Sequence, residues 1–141
     1  MSDYLADTTV LIDYLRGRSH VQERVDRLDR AGHRLCCCDV TICELLTGMR
    51  PHERPRTERF LGGLSYLATS RAIAERAGLW RHEHRQTGVT LGLADALIAA
   101  TAQANGAVIL TANIRHFPFP ELAVEEVPSH AEGGSPEAPG A

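Results

Sequence analysis

A chain of 141 residues, 43% hydrophobic and 23% charged, is the size and composition of one globular domain with a sizeable core, which excludes collagen-like and wholly disordered readings. The formal net charge is −3, and Glu132 and Glu137 carry two of those charges, so bulk charge does not announce a nucleic-acid binder. No apolar run approaches the roughly 18 residues that span a bilayer, and Met1-Ser2-Asp3-Tyr4 has no basic lead into an apolar stretch, so the expected address is the cytoplasm, away from the membrane.

Tyr4 to Ala6 reads as a short strand that passes through Asp7-Thr8-Thr9 into a helix near Val10 to Leu15, stopped at Gly17. Ser19 with Gln22 three residues on has the form of a capping box, followed by Val21, Val25 and Leu28 at helical spacing and a stop at Gly32. Arg34 to Asp39 reads as a buried strand. It holds Cys36, Cys37 and Cys38, whose alternation across a strand cannot form one tetrahedral cage, so these thiols are expected to be apolar filler in a reducing compartment. Thr41 opens a helix through Glu44 to Gly48, and Pro51 and Pro55 break the chain before a helix around Thr57 to Leu61.

Leu64 to Ala68 is expected as a third strand. Ser70 starts the longest helix, to about Thr87, with Ile73, Ala77 and Trp80 on one stripe. A further helix covers Leu93 to Gln103 and is closed by Asn105-Gly106; Ala107 to Leu110 is a buried strand, and Val124 to Val127 a last short one. Residues 1–128 form the expected domain. The Gly, Pro, Ala and Glu content of 129–141 predicts a disordered tail. Strands alternating with helices indicate an α/β fold with a central parallel sheet of about five strands and helices on both faces.

In such a sheet ligands bind beyond the carboxyl ends of the strands. Those positions hold Asp7 after the first strand, Glu44 one turn into the helix after the second, and Asn113 after the fourth. Asp95 lies in the first turn of a helix that feeds the fourth strand from the opposite end, which turns its N-terminus to the same edge. Each has a structural explanation: Asp7 as a helix cap, Glu44 as the returning arm of a box with Thr41, Asp95 as an acid favoured by the helix dipole. Yet Asp7 and Asp95 sit within apolar sequence, where charges are costly unless paired or metal-bound. Converging carboxylates need a cation, and hard oxygen donors favour Mg2+, with Mn2+ a substitute.

Leu5-Ala6-Asp7-Thr8-Thr9-Val10-Leu11-Ile12-Asp13, Ile42-Cys43-Glu44-Leu45, Leu93-Ala94-Asp95-Ala96-Leu97-Ile98-Ala99-Ala100 and Leu110-Thr111-Ala112-Asn113-Ile114-Arg115-His116-Phe117 together resemble a PIN-domain ribonuclease of the VapC toxin type. The resemblance covers about residues 3 to 127. It implies a PIN-like three-layer fold with a Mg2+ site at one sheet edge, and a type II toxin endoribonuclease neutralised by a VapB-type antitoxin. Carried over by position, Asp7, Glu44 and Asp95 resemble the family's principal acids and metal ligands, and Thr9 and Thr111 its polar supports. Asn113 stands where many members have a fourth acid, and His116 where another acid sometimes occurs, which favours one metal over two. The implied chemistry is in-line attack of metal-activated water on phosphorus, leaving a 5′-phosphate and a 3′-hydroxyl.

All 15 basic residues are arginine, whose planar fork suits phosphate. Arg50, Arg54 and Arg56 form one basic segment, Arg81 and Arg85 another, and Arg115 follows Asn113; these are candidate contacts to an RNA backbone, against a reading as solvated helix faces. Trp80 and Phe60 read as core or dimer contacts rather than base-stacking platforms, and the apolar stripe beside them suits a homodimer, also the state expected from the resemblance. The rival to an active nuclease is a non-catalytic RNA-binding PIN domain, with Asn113 the mark of a decayed site. A receiver-type phosphoacceptor would need a lysine, which this chain lacks, and a haloacid-dehalogenase-type phosphatase would need an aspartate where Thr9 stands.

Overall fold

The computed structural model describes residues 1–130. Five parallel strands form one sheet in the order β3-β2-β1-β4-β5: β1 (Asp3–Ala6), β2 (Arg34–Cys38), β3 (Ser65–Leu67), β4 (Val108–Thr111) and β5 (Val124–Glu126). Between them run α1 (Thr8–Leu15), α2 (Ser19–Arg30), α3 (Asp39–Gly48), α4 (Arg54–Gly62), α5 (Arg71–Gln86) and α6 (Leu93–Asn105), with 3₁₀ turns at Pro51–Glu53 and Ile114–His116.

Side chains alternate across the strands and so face two separate cores. Leu5, Cys36, Cys38 and Ile109 face α5 and α6, where Trp80 packs on Phe119 with ring centroids 4.5 Å apart. Ala6 and Leu110 face the other way, onto Val10 and Leu11 of α1 and Val21, Val25 and Leu28 of α2. Trp80 is therefore core, and Phe60 stacks on Tyr14. Burial pushes the Cys36 thiol up to about 11 and raises Cys37 and Cys38, which keeps all three protonated as filler.

Element boundaries fall within a few residues of those expected. One cap differs: Arg18, not Ser19, is the residue before α2, and the Gln22 amide donates to the Tyr14 carbonyl at 3.1 Å instead of closing a box. Another box sits elsewhere, where the Cys38 N–H donates to Thr41 Oγ1 at 2.9 Å, leaving Glu44 free of any capping duty. Gly106, in the left-handed region at φ 61, ends α6 and reverses the chain into β4.

Past β5 the chain is held by buried Asp13, which accepts from Ser129 Oγ at 2.8 Å and pairs with Arg18 Nε at 3.0 Å. His20 Nε2 also meets the Pro128 carbonyl at 2.6 Å. Residues 131–141 of the expected tail lie outside the described residues.

Candidate metal centre

The chain crosses from one side of the sheet to the other between β1 and β4, because β1 leads outward to β2 whereas β4 leads to β5. Such a switch leaves a crevice at the carboxyl ends of the two strands. Asp7 stands there, one residue past β1, its N–H donating to the Leu110 carbonyl at 2.7 Å. Its carboxylate is fully engaged on the protein side: Oδ1 accepts from the Thr8 N–H at 2.7 Å, capping α1, and Oδ2 accepts from Thr111 Oγ1 at 3.0 Å. Asp7 is thus both a helix cap and a site residue.

Asp95 reaches the same crevice on α6, whose 13 residues run antiparallel to β4 and bring its first turn to the strands' carboxyl edge. Gly92 stands at the N-cap of this helix, directly beside the Asp95 carboxylate. The Asp7 and Asp95 carboxylates and the His116 ring each offer a ligand atom, all within 4.8 Å of one another. Glu44 stands beside this group on α3 rather than inside it, its Oε1 accepting from Thr8 Oγ1 at 2.8 Å.

Burial is the largest influence raising the Asp7 carboxyl above its ordinary 3.8, opposed by the hydrogen bonds from Thr111 and Thr8, with the Glu44 charge adding to the rise. Burial also raises Asp95, reinforced by the negative charge of Asp7. Two carboxyls that resist ionisation beside a third and an imidazole match the donor set of a divalent cation, whose charge removes the repulsion.

Asn113 caps the 3₁₀ turn, its Oδ1 accepting from the Arg115 N–H at 3.1 Å and its Nδ2 lying 3.2 Å from His116 Nε2. Of the expected supports, Thr111 holds Asp7 directly. Thr9 is exposed in the first turn of α1 and, among the described residues, makes no bond to the acids; its neighbour Thr8 does that work, and sequence reasoning passed over it. Only the side on which α1 meets α3 distinguishes the two threonines, and that is not a local signal.

The arginines divide. Arg81 Nε donates to the Leu91 carbonyl at 3.0 Å, in the loop that delivers Asp95; Arg85 is exposed beside the same loop, and Arg115 lies next to His116. Arg50, Arg54 and Arg56 lie beyond the far end of the ten-residue α3, about 15 Å of helix from the edge where α3 starts. Arg54 pairs with Glu58 at 2.7 Å, Arg50 caps the Pro51–Glu53 turn, and Arg56 borders a groove walled by Ile12, Leu15, Leu45 and Met49.

Comparison with known proteins places this geometry. The PIN domain family model matches residues 4–124. Ribonuclease VapC19 of Mycobacterium tuberculosis is 34% identical over 119 residues, covering 84% of this chain and 95% of the relative. Ribonuclease VapC10 of the same organism is 35% identical over 115 residues, 82% of this chain and 86% of the relative. Among solved structures, DNA-bound VapBC from Salmonella typhimurium aligns with a TM-score of 0.76 at 28% identity over 89% of this chain and 98% of that one. VapBC2 from Rickettsia felis, bound to a DNA fragment from its promoter, aligns at 0.77 and 23% identity over the same shares, a likeness of fold. The chain belongs to the PIN-domain family, among its VapC ribonucleases.

Proposed function

We propose that this chain is the toxin of a type II toxin–antitoxin pair, a Mg2+-dependent endoribonuclease that hydrolyses RNA phosphodiester bonds and is inhibited by a VapB-type antitoxin. The observation that carries the reading is the meeting of Asp7, Asp95 and His116, with Glu44 alongside, at the switch point of a PIN-domain sheet. Asp7 and Asp95 would hold the ion, with Glu44 reaching it directly or through water. When bound, the ion supplies neutralisation of the scissile phosphate and acidification of a water.

The chain's own residues supply the rest. Thr111 and Thr8 fix the Asp7 carboxylate, and the Thr8 hydroxyl holds Glu44 beside the crevice, where it can orient a water by accepting a hydrogen bond from it. Arg81, Arg85 and Arg115 lie on the elements that border the crevice and suit the flanking phosphates. Arg50, Arg54 and Arg56 suit RNA held further along the molecule.

Two surfaces suit the protein partners. The groove between α1, α3 and α4, where Ile12, Leu15, Leu45 and Met49 stand beside Arg16 and Arg56, fits an antitoxin segment that is apolar on one side and acidic on the other. Beside Glu44, an open depression formed by Val40, Cys43, Leu93 and Leu97 is mostly apolar, with Leu93 58% exposed, and suits a second copy of the chain. Such a homodimer would set two acidic crevices on one face. No helix among the described residues is long and apolar enough to cross a membrane. A cytoplasmic location accords with an RNA substrate.

The test is incubation of the purified, antitoxin-free chain with mixed structured RNA, with Mg2+ or with EDTA, followed by end-group analysis. The expected result is cleavage with Mg2+ alone, leaving 5′-phosphates and 3′-hydroxyls. RNA bound but uncut at every metal concentration would favour the non-catalytic RNA-binding reading.

A further inference from the structure

Most of the aromatic rings are spoken for inside the fold: Trp80, Phe117 and Phe119 are buried, Tyr14 stacks on Phe60, and Tyr4 meets His33 edge to face. Tyr66 is the ring left outside. It is 55% exposed and lies on β3, an edge strand of the sheet. Resting on the RNA-directed reading above, we propose that Tyr66 is a base-stacking platform, on which a nucleobase beside the scissile bond lies when RNA is bound.

The ring is held and placed by its neighbours. Tyr66 Oη donates to Asp39 Oδ1, and the Thr69 N–H donates to Asp39 Oδ2 at 2.9 Å. Asp39 opens α3 just past the carboxyl end of β2, and Thr69 lies just past that of β3, so the tether draws the ring to the edge where the acids stand. These bonds hold the Asp39 carboxyl below its ordinary 3.8, which keeps the acceptor charged at neutral pH. β3 lies two strands, about 10 Å, from β1 and the crevice at its end. Asp39 and Thr69 border the same depression as Glu44, which joins ring and acids in one face. Tyr66 is outside the lining of that depression, so pairing of two copies through Leu93 and Leu97 does not require the ring.

With its hydroxyl engaged by Asp39, the side chain offers a partner its ring. A tethered ring gives up little conformational freedom when a base stacks on it, and every base has a face to stack. The phosphate joined to that base also finds a donor. Ser70 Oγ accepts from the Ile73 N–H at 3.2 Å and caps the start of α5, whose positive end and exposed Arg71 suit an anion. The exposed neighbours Asp39, Thr69, Ser70 and Arg71 are polar or charged, which matches a base with its phosphate better than the apolar centre of a protein interface.

The test is binding of a fluorescent single-stranded RNA of mixed sequence to the full chain in EDTA, so that no cleavage intervenes, by the parent, Tyr66→Ala and Tyr66→Phe. Tyr66→Ala should bind about tenfold more weakly with an unchanged salt dependence, because a stack is lost and no phosphate contact is. Tyr66→Phe keeps the ring and should stay closer to the parent than to Tyr66→Ala. A 2-aminopurine walked along the strand should show a position whose emission the parent quenches and Tyr66→Ala does not. Equal affinity of parent and Tyr66→Ala, or Tyr66→Phe as weak as Tyr66→Ala, overturns the platform, and Mg2+-dependent cleavage by the parent would then leave the nuclease reading intact. Unchanged RNA affinity with a lowered mass of Tyr66→Ala in analytical ultracentrifugation would overturn it in favour of a contact between copies. A parent that binds no RNA and cuts none overturns both readings.

Discussion

Asp95 is the residue whose substitution separates chemistry from folding. Its carboxyl sits above the ordinary 3.8 because burial and then the charges of Asp7 and Glu44 disfavour ionisation, and Asp7 is raised likewise by burial and by Glu44. Relative to the unfolded chain, these two groups therefore favour the metal-free fold fully only below pH 3.8, and that contribution is lost as pH rises through their raised folded values. Metal affinity runs the other way, falling as acidification protonates the ligands. Asp95→Asn should accordingly raise the melting temperature of the metal-free chain at neutral pH by about 2 °C, read by calorimetry. A lowered melting temperature would mean that the carboxylate is structurally favourable as it stands. Thr8 tests the support of Glu44: Thr8→Val keeps the shape and the backbone cap on Asp7 but removes the 2.8 Å bond to Glu44. RNA cleavage should slow by about tenfold with the melting curve unchanged, and an unchanged rate would leave Thr8 without a positioning role.

At the scale of elements, α5 and α6 carry Asp95 by packing on the sheet through Trp80 and Ile98, with Phe119 of the segment before β5 set against the Trp80 ring. Removing the indole leaves a large cavity, so Trp80→Ala should cost about 3–5 kcal/mol in urea unfolding, whereas a loss below about 1 kcal/mol would contradict its core placement. These elements were legible because each carries its own local signal. The apolar runs around Cys37 and Ile109 read as buried strands, and the stripe Ile73, Ala77, Trp80 read as a helix face. Asp7 and Asp95 stood out for the same reason, since an acid at a strand or helix end amid apolar residues must find a partner, whereas Thr111 came only from the family resemblance. What escaped was contact between distant segments. Ser19 and Gln22 have the spacing of a capping box, yet Gln22 is claimed by Tyr14, a neighbour supplied by the turn after α1. Thr8 and Thr9 are equivalent in sequence until α3 packs against α1 and reaches one of them. His116 came from the resemblance in a supporting role, and only the fold brings a ring nitrogen within 4.8 Å of the Asp7 and Asp95 carboxylates.

For the whole molecule, the sheet order explains why the acids meet at all: a crossover at β1 and β4 opens one crevice, and α3 and α6 both present N-terminal turns towards it. The apolar depression around Leu93 and Leu97 lies beside that crevice, so pairing and substrate binding should be linked. Leu93→Arg should shift the chain to monomer in analytical ultracentrifugation while it stays folded, and an unchanged mass would place any dimer contact elsewhere. The central claim is that a divalent ion held by Asp7 and Asp95 cuts RNA. Its most direct test is single-turnover cleavage of structured RNA by the antitoxin-free parent and by Asp95→Asn, each supplied with Mg2+ and with Mn2+. The account predicts cleavage by the parent and a rate at least about a hundredfold lower for the folded variant with either ion. Equal rates would contradict it.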